Sequence, residues 1–325
     1  EYGPEHRNVA FTCNILGAVC RNLGDAERAR SLLERALAIR EREYGPEHRN
    51  VAFTCNILGA VCRNLGDAER ARSLLERALA IREREYGSEH RLVAVTCEHL
   101  GITCKDLGDA KRARSLLERA LAINEREYGP EHRNVAFTCD NLGIVCRNLG
   151  DAERARSLLE RALAIGEREY GPEHRLVAVT CEQLGITCKD LGDAKCARSL
   201  LERALAIGER EYGSEHRLVA VTCEHLEIVC RDLGDAERAR SLLERALAIR
   251  EREYGSEHRL VAVTCEHLGI VCRDLGDAER ARSLLQRAIK ILVRKYGPEH
   301  RNVATLLASL RSLQKRTLAI REPSE

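Results

Sequence analysis

The 325-residue chain contains no methionine and no tryptophan, and only three phenylalanines stand beside its eight tyrosines. Binding sites for single-stranded nucleic acid stack bases on aromatic rings and track the backbone with positive charge, and both are scarce here. Lysine and arginine total 53 against 51 acids, interleaved along the chain, so there is no long-range field to draw in nucleic acid or an anionic membrane. No apolar run approaches the ~20 residues that cross a bilayer, and no charged-then-apolar leader opens the chain. These absences point to a soluble, cytoplasmic protein. The lack of methionine, with a start inside what reads as a linker, points to a piece of a larger parent protein. Nothing resembles a phosphate loop or a nucleophile elbow. No acid, base and nucleophile converge at a position unique in the chain, so no enzyme activity and no cofactor are expected.

Repetition takes the place of those features. A 42-residue unit starting at Glu1 restarts at Glu43, Glu85, Glu127, Glu169, Glu211 and Glu253, and a shortened eighth copy runs from Lys295. A period of this length implies a solenoid in which each repeat packs on its neighbours. The expected division is seven tandem repeats over 1–294 and a C-terminal capping segment over 295–325.

Within the first copy Val9, Ala10, Cys13, Leu16, Gly17, Cys20 and Leu23 recur at three- and four-residue steps, the stripe of an amphipathic helix. Gly24 and Asp25 then stop one helix and cap the next. A second stripe follows through Ala26, Ala29, Leu32, Leu33, Ala36, Leu37 and Ile39, and is expected to end near Tyr44 before Gly45. Arg30 and Glu34 stand at i, i+4 and should support that helix. In the last copy Leu307 and Gln314 replace the cysteines, the Gly-Asp turn is lost, and Pro323 follows. Residues Arg301 to Ile320 therefore read as a polar-faced cap helix, straight or bent, and the N-terminal end has no counterpart.

The spacing Cys13-x2-Leu16-Gly17-x2-Cys20, then Ala29-x3-Leu33 and Ala36, resembles the tetratricopeptide repeat with its large aromatics replaced by smaller apolar residues. The eight extra residues per repeat are similar to the long repeats of kinesin light chains. The resemblance implies an all-α, right-handed α-solenoid, a superhelix of helix-turn-helix repeats whose first helices line a concave groove for partner proteins or peptides.

Fourteen of the 15 cysteines form Cys-x6-Cys pairs, about 10 Å apart on a helix and beyond disulfide reach. The fifteenth, Cys196, replaces an arginine on a face that reads as exposed. Such an unpaired set fits a reducing compartment. Cys97 and His99, like Cys223 with His225 and Cys265 with His267, are two residues apart on one helix and point about 160° apart, so no metal site is expected from them. The linker histidines, His6 through His300, recur in every copy and read as packing or helix-start residues.

Change between copies concentrates on the first helix. Position 11 reads Phe11, Phe53 and Phe137, with valine in the other copies. Position 14 reads Asn14, Asn56, Glu98, Asp140, Glu182, Glu224 and Glu266. Position 15 adds His99, Asn141, Gln183, His225 and His267. Position 21 is Arg21, Arg63, Lys105, Arg147, Lys189, Arg231 and Arg273, and position 22 is Asn22, Asn64, Asp106, Asn148, Asp190, Asp232 and Asp274. These are the expected peptide-binding residues. Charge over positions 14, 21 and 22 is net positive in repeats one and two, neutral in repeat four and net negative elsewhere, so a basic ligand segment is expected at the C-terminal half. Two alternatives stand beside this reading: drift after duplication, and a structural spacer that self-associates through its uncapped N-terminal face. Glu227 replaces a close-packing glycine, and is expected to splay repeat six or turn its carboxylate outward.

Overall fold

The computed structural model describes residue 3 and residues 5–321, with 312–321 described by backbone alone. Gln314 and Pro323 lie outside the residues whose side chains are described. Fifteen helices and no strand occur among the described residues. The first helices of the hairpins are α1 (Arg7–Asn22), α3 (Arg49–Asn64), α5 (Arg91–Asp106), α7 (Arg133–Asn148), α9 (Arg175–Asp190), α11 (Arg217–Asp232) and α13 (Arg259–Asp274). Their partners are α2 (Ala26–Tyr44), α4 (Ala68–Tyr86), α6 (Ala110–Tyr128), α8 (Ala152–Tyr170), α10 (Ala194–Tyr212), α12 (Ala236–Tyr254) and α14 (Ala278–Tyr296), and a single helix α15 (Arg301–Arg321) follows.

The chain divides into two compact units, residues 1–169 and residues 170–325. Each is an all-α helical-repeat solenoid. In the first unit α2 packs on α3, α4 on α5 and α6 on α7, while α3 and α5 also meet as first helix against first helix. In the second unit the same relation joins α10 to α11, α12 to α13 and α14 to α15.

Local chemistry sets the boundaries. At the hairpin turn Gly24 takes φ 84°, a conformation that favours glycine, and Asp25 accepts a hydrogen bond from the Arg28 amide at 3.1 Å. At the linker, His48 Nδ1 accepts from the Asn50 amide at 3.1 Å and so caps α3. Its ring stacks on Tyr44 with centroids 4.7 Å apart. The recurring histidines from His48 to His300 are thus helix caps, each stacked on the preceding tyrosine.

The core is built from the two stripes. Ala29, Leu33, Leu58, Val61, Cys62 and Ala71 form one cluster, and Val51, Ala52, Cys55, Ala78 and Ile81 another. Close approach depends on the helix glycines, since a Cβ on Gly59 would stand 2.7 Å from Leu75 Cγ. Burial pushes the core thiols of Cys55, Cys97, Cys139, Cys223 and Cys265 up to about 11, which leaves them inert as nucleophiles at neutral pH. On α1, Ile15, Leu16 and Val19 are exposed.

Between repeats, arginines of one second helix reach back to the previous hairpin. Arg77 Nη1 meets Glu41 Oε1 at 2.5 Å and its Nη2 meets the Pro46 carbonyl at 2.7 Å; Arg84 meets Glu47 at 2.8 Å. The same pattern joins Arg287 to Glu251 and Arg252 to Glu215 in the second unit. These solvent-facing pairs are worth at most ~1 kcal/mol each and act mainly to fix register. They also redirect the pair expected within the first repeat. Arg30 turns to Glu27 at 2.6 Å while Glu34 pairs with Arg70 of the next repeat at 2.7 Å; in later repeats the i, i+4 pair forms, as Arg114 does with Glu118 at 2.9 Å.

Candidate functional site

The variable first-helix positions separate into two groups. Positions 11 and 22 lie open: Phe11, Phe53 and Phe137 are 60%, 48% and 47% exposed. Asn22, Asn64, Asp106, Asn148, Asp190, Asp232 and Asp274 are exposed as well. Position 21 stands beside them, half-buried at Arg21, Arg63, Lys105, Arg147, Lys189 and Arg273 and exposed at Arg231. Neighbouring charges there neutralise one another, as Lys189 does with Asp190 at 3.1 Å and Arg273 with Asp274 at 2.8 Å. Arg63 also reaches across to Asp106 of the next repeat at 3.9 Å.

Position 14 does not share that open face. Asn14, Asn56 and Glu98 are buried, and Asp140, Glu182, Glu224 and Glu266 are half-buried. At Glu98 and Glu224 the position sits where a first helix meets the first helix of the next repeat and the end of its own second helix, and its carboxylate is hydrogen-bonded there. Position 15 flanks the same seam, with Asn141 buried and His99, Gln183, His225 and His267 half-buried.

The partners of position 14 lie at two places that first-helix variation does not reveal. One is the threonine two residues before position 14 of the next repeat. The other is position 40 of the second helix, occupied by Arg40, Arg82, Asn124, Gly166, Gly208 and Arg250. In repeat three Asn124 Nδ2 donates to Glu98 Oε1 at 2.9 Å and the Thr138 hydroxyl donates to the same oxygen. In repeat six Arg250 Nη2 meets Glu224 Oε2 at 2.9 Å while Thr264 donates to Oε1 at 2.7 Å. In repeat one the acid is absent, and Arg40 donates to the Asn50 carbonyl at 2.8 Å and to Thr54 Oγ1 at 2.9 Å. Its guanidinium stands over the exposed Phe53 ring at 5.7 Å.

These seams carry the strongest electrostatic perturbations. Loss of water pushes the Glu98 carboxyl up to about 7 against the pull of its Thr138 and Asn124 hydrogen bonds. Burial, with Arg63 adding to it, lowers His99 to about 4; the neutral ring accepts from Asn56 Nδ2 at 3.2 Å through Nδ1. Glutamate and histidine of successive copies pair twice, Glu182 with His225 at 2.9 Å and Glu227 with His267 at 3.0 Å. Among the described residues no group of three or more metal-ligating side chains is gathered.

Glu227 does not take the outward course, one of the two outcomes expected for it. Its carboxylate turns inward and is fully buried, with Oε1 on His267 and Oε2 without a hydrogen-bond partner. The neighbouring histidine of repeat seven gives it a polar contact that solvent-directed turning does not need to supply.

Overlapping matches to the tetratricopeptide repeat model cover residues 6–84, 52–126, 98–167, 137–210, 182–252 and 228–292. The chain belongs to the tetratricopeptide repeat family. Its repeats are of the kinesin-light-chain-like type. It is similar to a solved structure described as a putative kinesin light chain with nearly identical repeats from Podosopora anserina, at 25% identity, over 64% of this chain and 99% of that one, with a TM-score of 0.54. BtubC from P. vanneervenii is similar at 24% identity over 72% and 92% of the two chains with a TM-score of 0.57. A tetratricopeptide repeat protein from Parabacteroides merdae is similar in fold at 15% identity, over 94% and 99%, with a TM-score of 0.60. No curated protein sequence matches the chain. Tetratricopeptide repeats generally mediate protein–protein interaction or scaffolding and are generally non-catalytic. Among the described residues no helix is long and apolar enough to cross a membrane.

Proposed function

We propose that the open faces of the first helices form a recognition surface for a partner protein or peptide, and that this segment is a non-catalytic, cytoplasmic interaction scaffold. The observation that carries the reading is the exposure of large apolar side chains on the first helices, Phe53 and Phe137 foremost; on the second helices the large exposed side chains include the terminal tyrosines Tyr44, Tyr170, Tyr254 and Tyr296, each stacked on the following histidine. Exposed apolar groups ringed by charge are what a peptide groove offers.

Because Glu98, Glu182 and Glu224 are hydrogen-bonded inside the stack, charge preference falls to positions 21 and 22 together. These sum to zero in repeats five to seven, where an aspartate stands beside each cation, and to +1 in repeats one and two. A basic ligand segment is therefore favoured along Asp190, Asp232 and Asp274 relative to the N-terminal repeats, and a neutral or acidic one along Arg21, Asn22, Arg63 and Asn64. Such rim charges act on the association rate more than on residence time.

An array of peptides of graded charge, probed with the full chain, tests the reading. Binders should lose affinity when Phe53 and Phe137 become alanine, and Asp232→Lys with Asp274→Lys should slow association of basic peptides by roughly threefold to tenfold at low salt. Absence of any binder, or binders indifferent to both pairs of substitutions, would sink it.

A further inference from the structure

Of the eight positions at which repeats five and six differ, one empties a built slot. In repeat six the buried Arg250 places Nη2 2.9 Å and Nε 3.3 Å from the two oxygens of Glu224, with its guanidinium 5.9 Å from the Tyr254 ring centroid. In repeat five the corresponding residue is Gly208, while the acid Glu182, the hydroxyl of Thr222 and the ring of Tyr212 all remain. Glu182 Oε1 meets His225 Nδ1 at 2.9 Å and Thr222 Oγ1 at 3.4 Å, and no arginine reaches it. A Cβ added to Gly208 would meet only Val219 Cγ2, at 4.0 Å.

The gap is a cavity of about 50 Å3 lined by Glu182, Leu205, Gly208, Tyr212, Leu218 and Thr222. One water needs roughly 10–15 Å3, so the space admits a larger polar group. The sister repeats define its chemistry. Arg82 Nη1 donates to the Leu92 carbonyl at 2.8 Å and to Thr96 Oγ1 at 2.6 Å, and the equivalent residues here are Leu218 and Thr222. Val179 and Leu218 are exposed at the rim, so the slot opens to solvent.

We propose that repeat five is a receptor for one guanidinium group, an arginine side chain of a partner segment taking the place that Arg250 takes in repeat six. Glu182 supplies a carboxylate for the planar fork, Thr222 and the Leu218 carbonyl supply further acceptors, and Tyr212 supplies a ring face. A lysine ammonium cannot satisfy these acceptors together. The recognition surface proposed above is needed only as the source of the arginine; the slot's own chemistry stands without it.

Binding to the full chain should be measured with methylguanidinium and acetyl-arginine amide, against methylammonium and acetyl-lysine amide, by calorimetry and amide chemical shifts. The guanidinium probes should bind, with shifts centred on Gly208 and Thr222, at least about tenfold tighter than the ammonium probes. Gly208→Arg fills the slot from within, and should abolish probe binding while raising the melting temperature; Glu182→Gln should weaken binding at least about tenfold. No guanidinium binding, equal binding of the ammonium probes, or undiminished binding to Gly208→Arg overturns the proposal. If arginine probes bind and no peptide does, the slot stands and the recognition surface fails. If peptides bind and Gly208→Arg leaves the tightest of them unaffected, the slot fails alone.

Discussion

The sulfurs of Cys188, on α9, and Cys196, on α10, stand 3.2 Å apart across the Gly-Asp turn of repeat five. In the other copies the residue at the place of Cys196 is an arginine, and Arg70, Arg112, Arg154 and Arg280 each pair with an acid of the preceding repeat, as Arg70 does with Glu34 at 2.7 Å. The substitution therefore removes a surface ion pair and brings a second thiol to a core cysteine. A disulfide needs ~2.05 Å between sulfurs, a closure that side-chain rotation across a turn can supply. Mild oxidation with oxidised glutathione should take two electrons and two protons from this pair, reduce the glutathione disulfide to two thiols, and form one intramolecular bond before the other core thiols react. The short loop limits the gain in stability to about 2 kcal/mol. Peptide mapping without reduction checks the bond, and Cys196→Ser should abolish it. A different first disulfide, or stable glutathione adducts on Cys196, would refute the pairing.

The seam around Glu98 and His99 should make stability respond to pH in two opposing ways. The Glu98 carboxyl is raised from 4.5 to about 7, so its contribution is full below pH 4.5 and is lost as pH climbs towards 7. That loss is on the order of 3 kcal/mol. His99 is lowered from 6.5 to about 4, so its contribution is present above 6.5 and is lost as pH falls towards 4. In the native chain the two slopes offset between pH 4.5 and 6.5. Denaturant melts across this range should show Glu98→Gln gaining stability with rising pH and His99→Gln losing it. Parallel curves for both variants and the native chain would contradict the assignment.

Much of the frame could be read from the residues, because its signals are local. Gly24-Asp25 and Tyr44-Gly45 mark helix ends through backbone conformation and capping, and the apolar period names the buried stripe. The placement of position 14 could not be read in the same way. Periodicity gives the angle of a residue about its own helix but not whether a neighbouring repeat or solvent fills the space there. Arg82 and Arg250 read as surface residues by type, and only stacking brings them to Thr96 and Glu224. Cys196 was visible as an oddity, yet its distance from Cys188 depends on the turn between them. Copy-to-copy change at position 40, paired with change at position 14, is the signal that would have exposed the seam.

Glu227 offers a measure of what the close-packing glycine contributes. At the equivalent Gly269 a Cβ would lie 3.1 Å from Leu285 Cγ, and repeat six accommodates a whole buried carboxylate at this place. One oxygen meets His267 and the other only approaches Arg231 Nη1 at 3.9 Å. A buried carboxyl group so sparsely hydrogen-bonded costs more than the ~1 kcal/mol by which glycine weakens a helix. Glu227→Gly should therefore raise stability by about 1–3 kcal/mol near neutral pH. The gain should depend on pH. The hydrogen bond that His267 donates to Glu227 raises the His267 pKa above 6.5, so the pair's stabilisation is full below that value and is lost as pH rises through the folded-state pKa. The advantage of the glycine variant must then widen from pH 6 to pH 9. A variant that melts no higher than the native chain at any pH in that range would show that the inward carboxylate is well accommodated and that close helix approach matters little in this repeat.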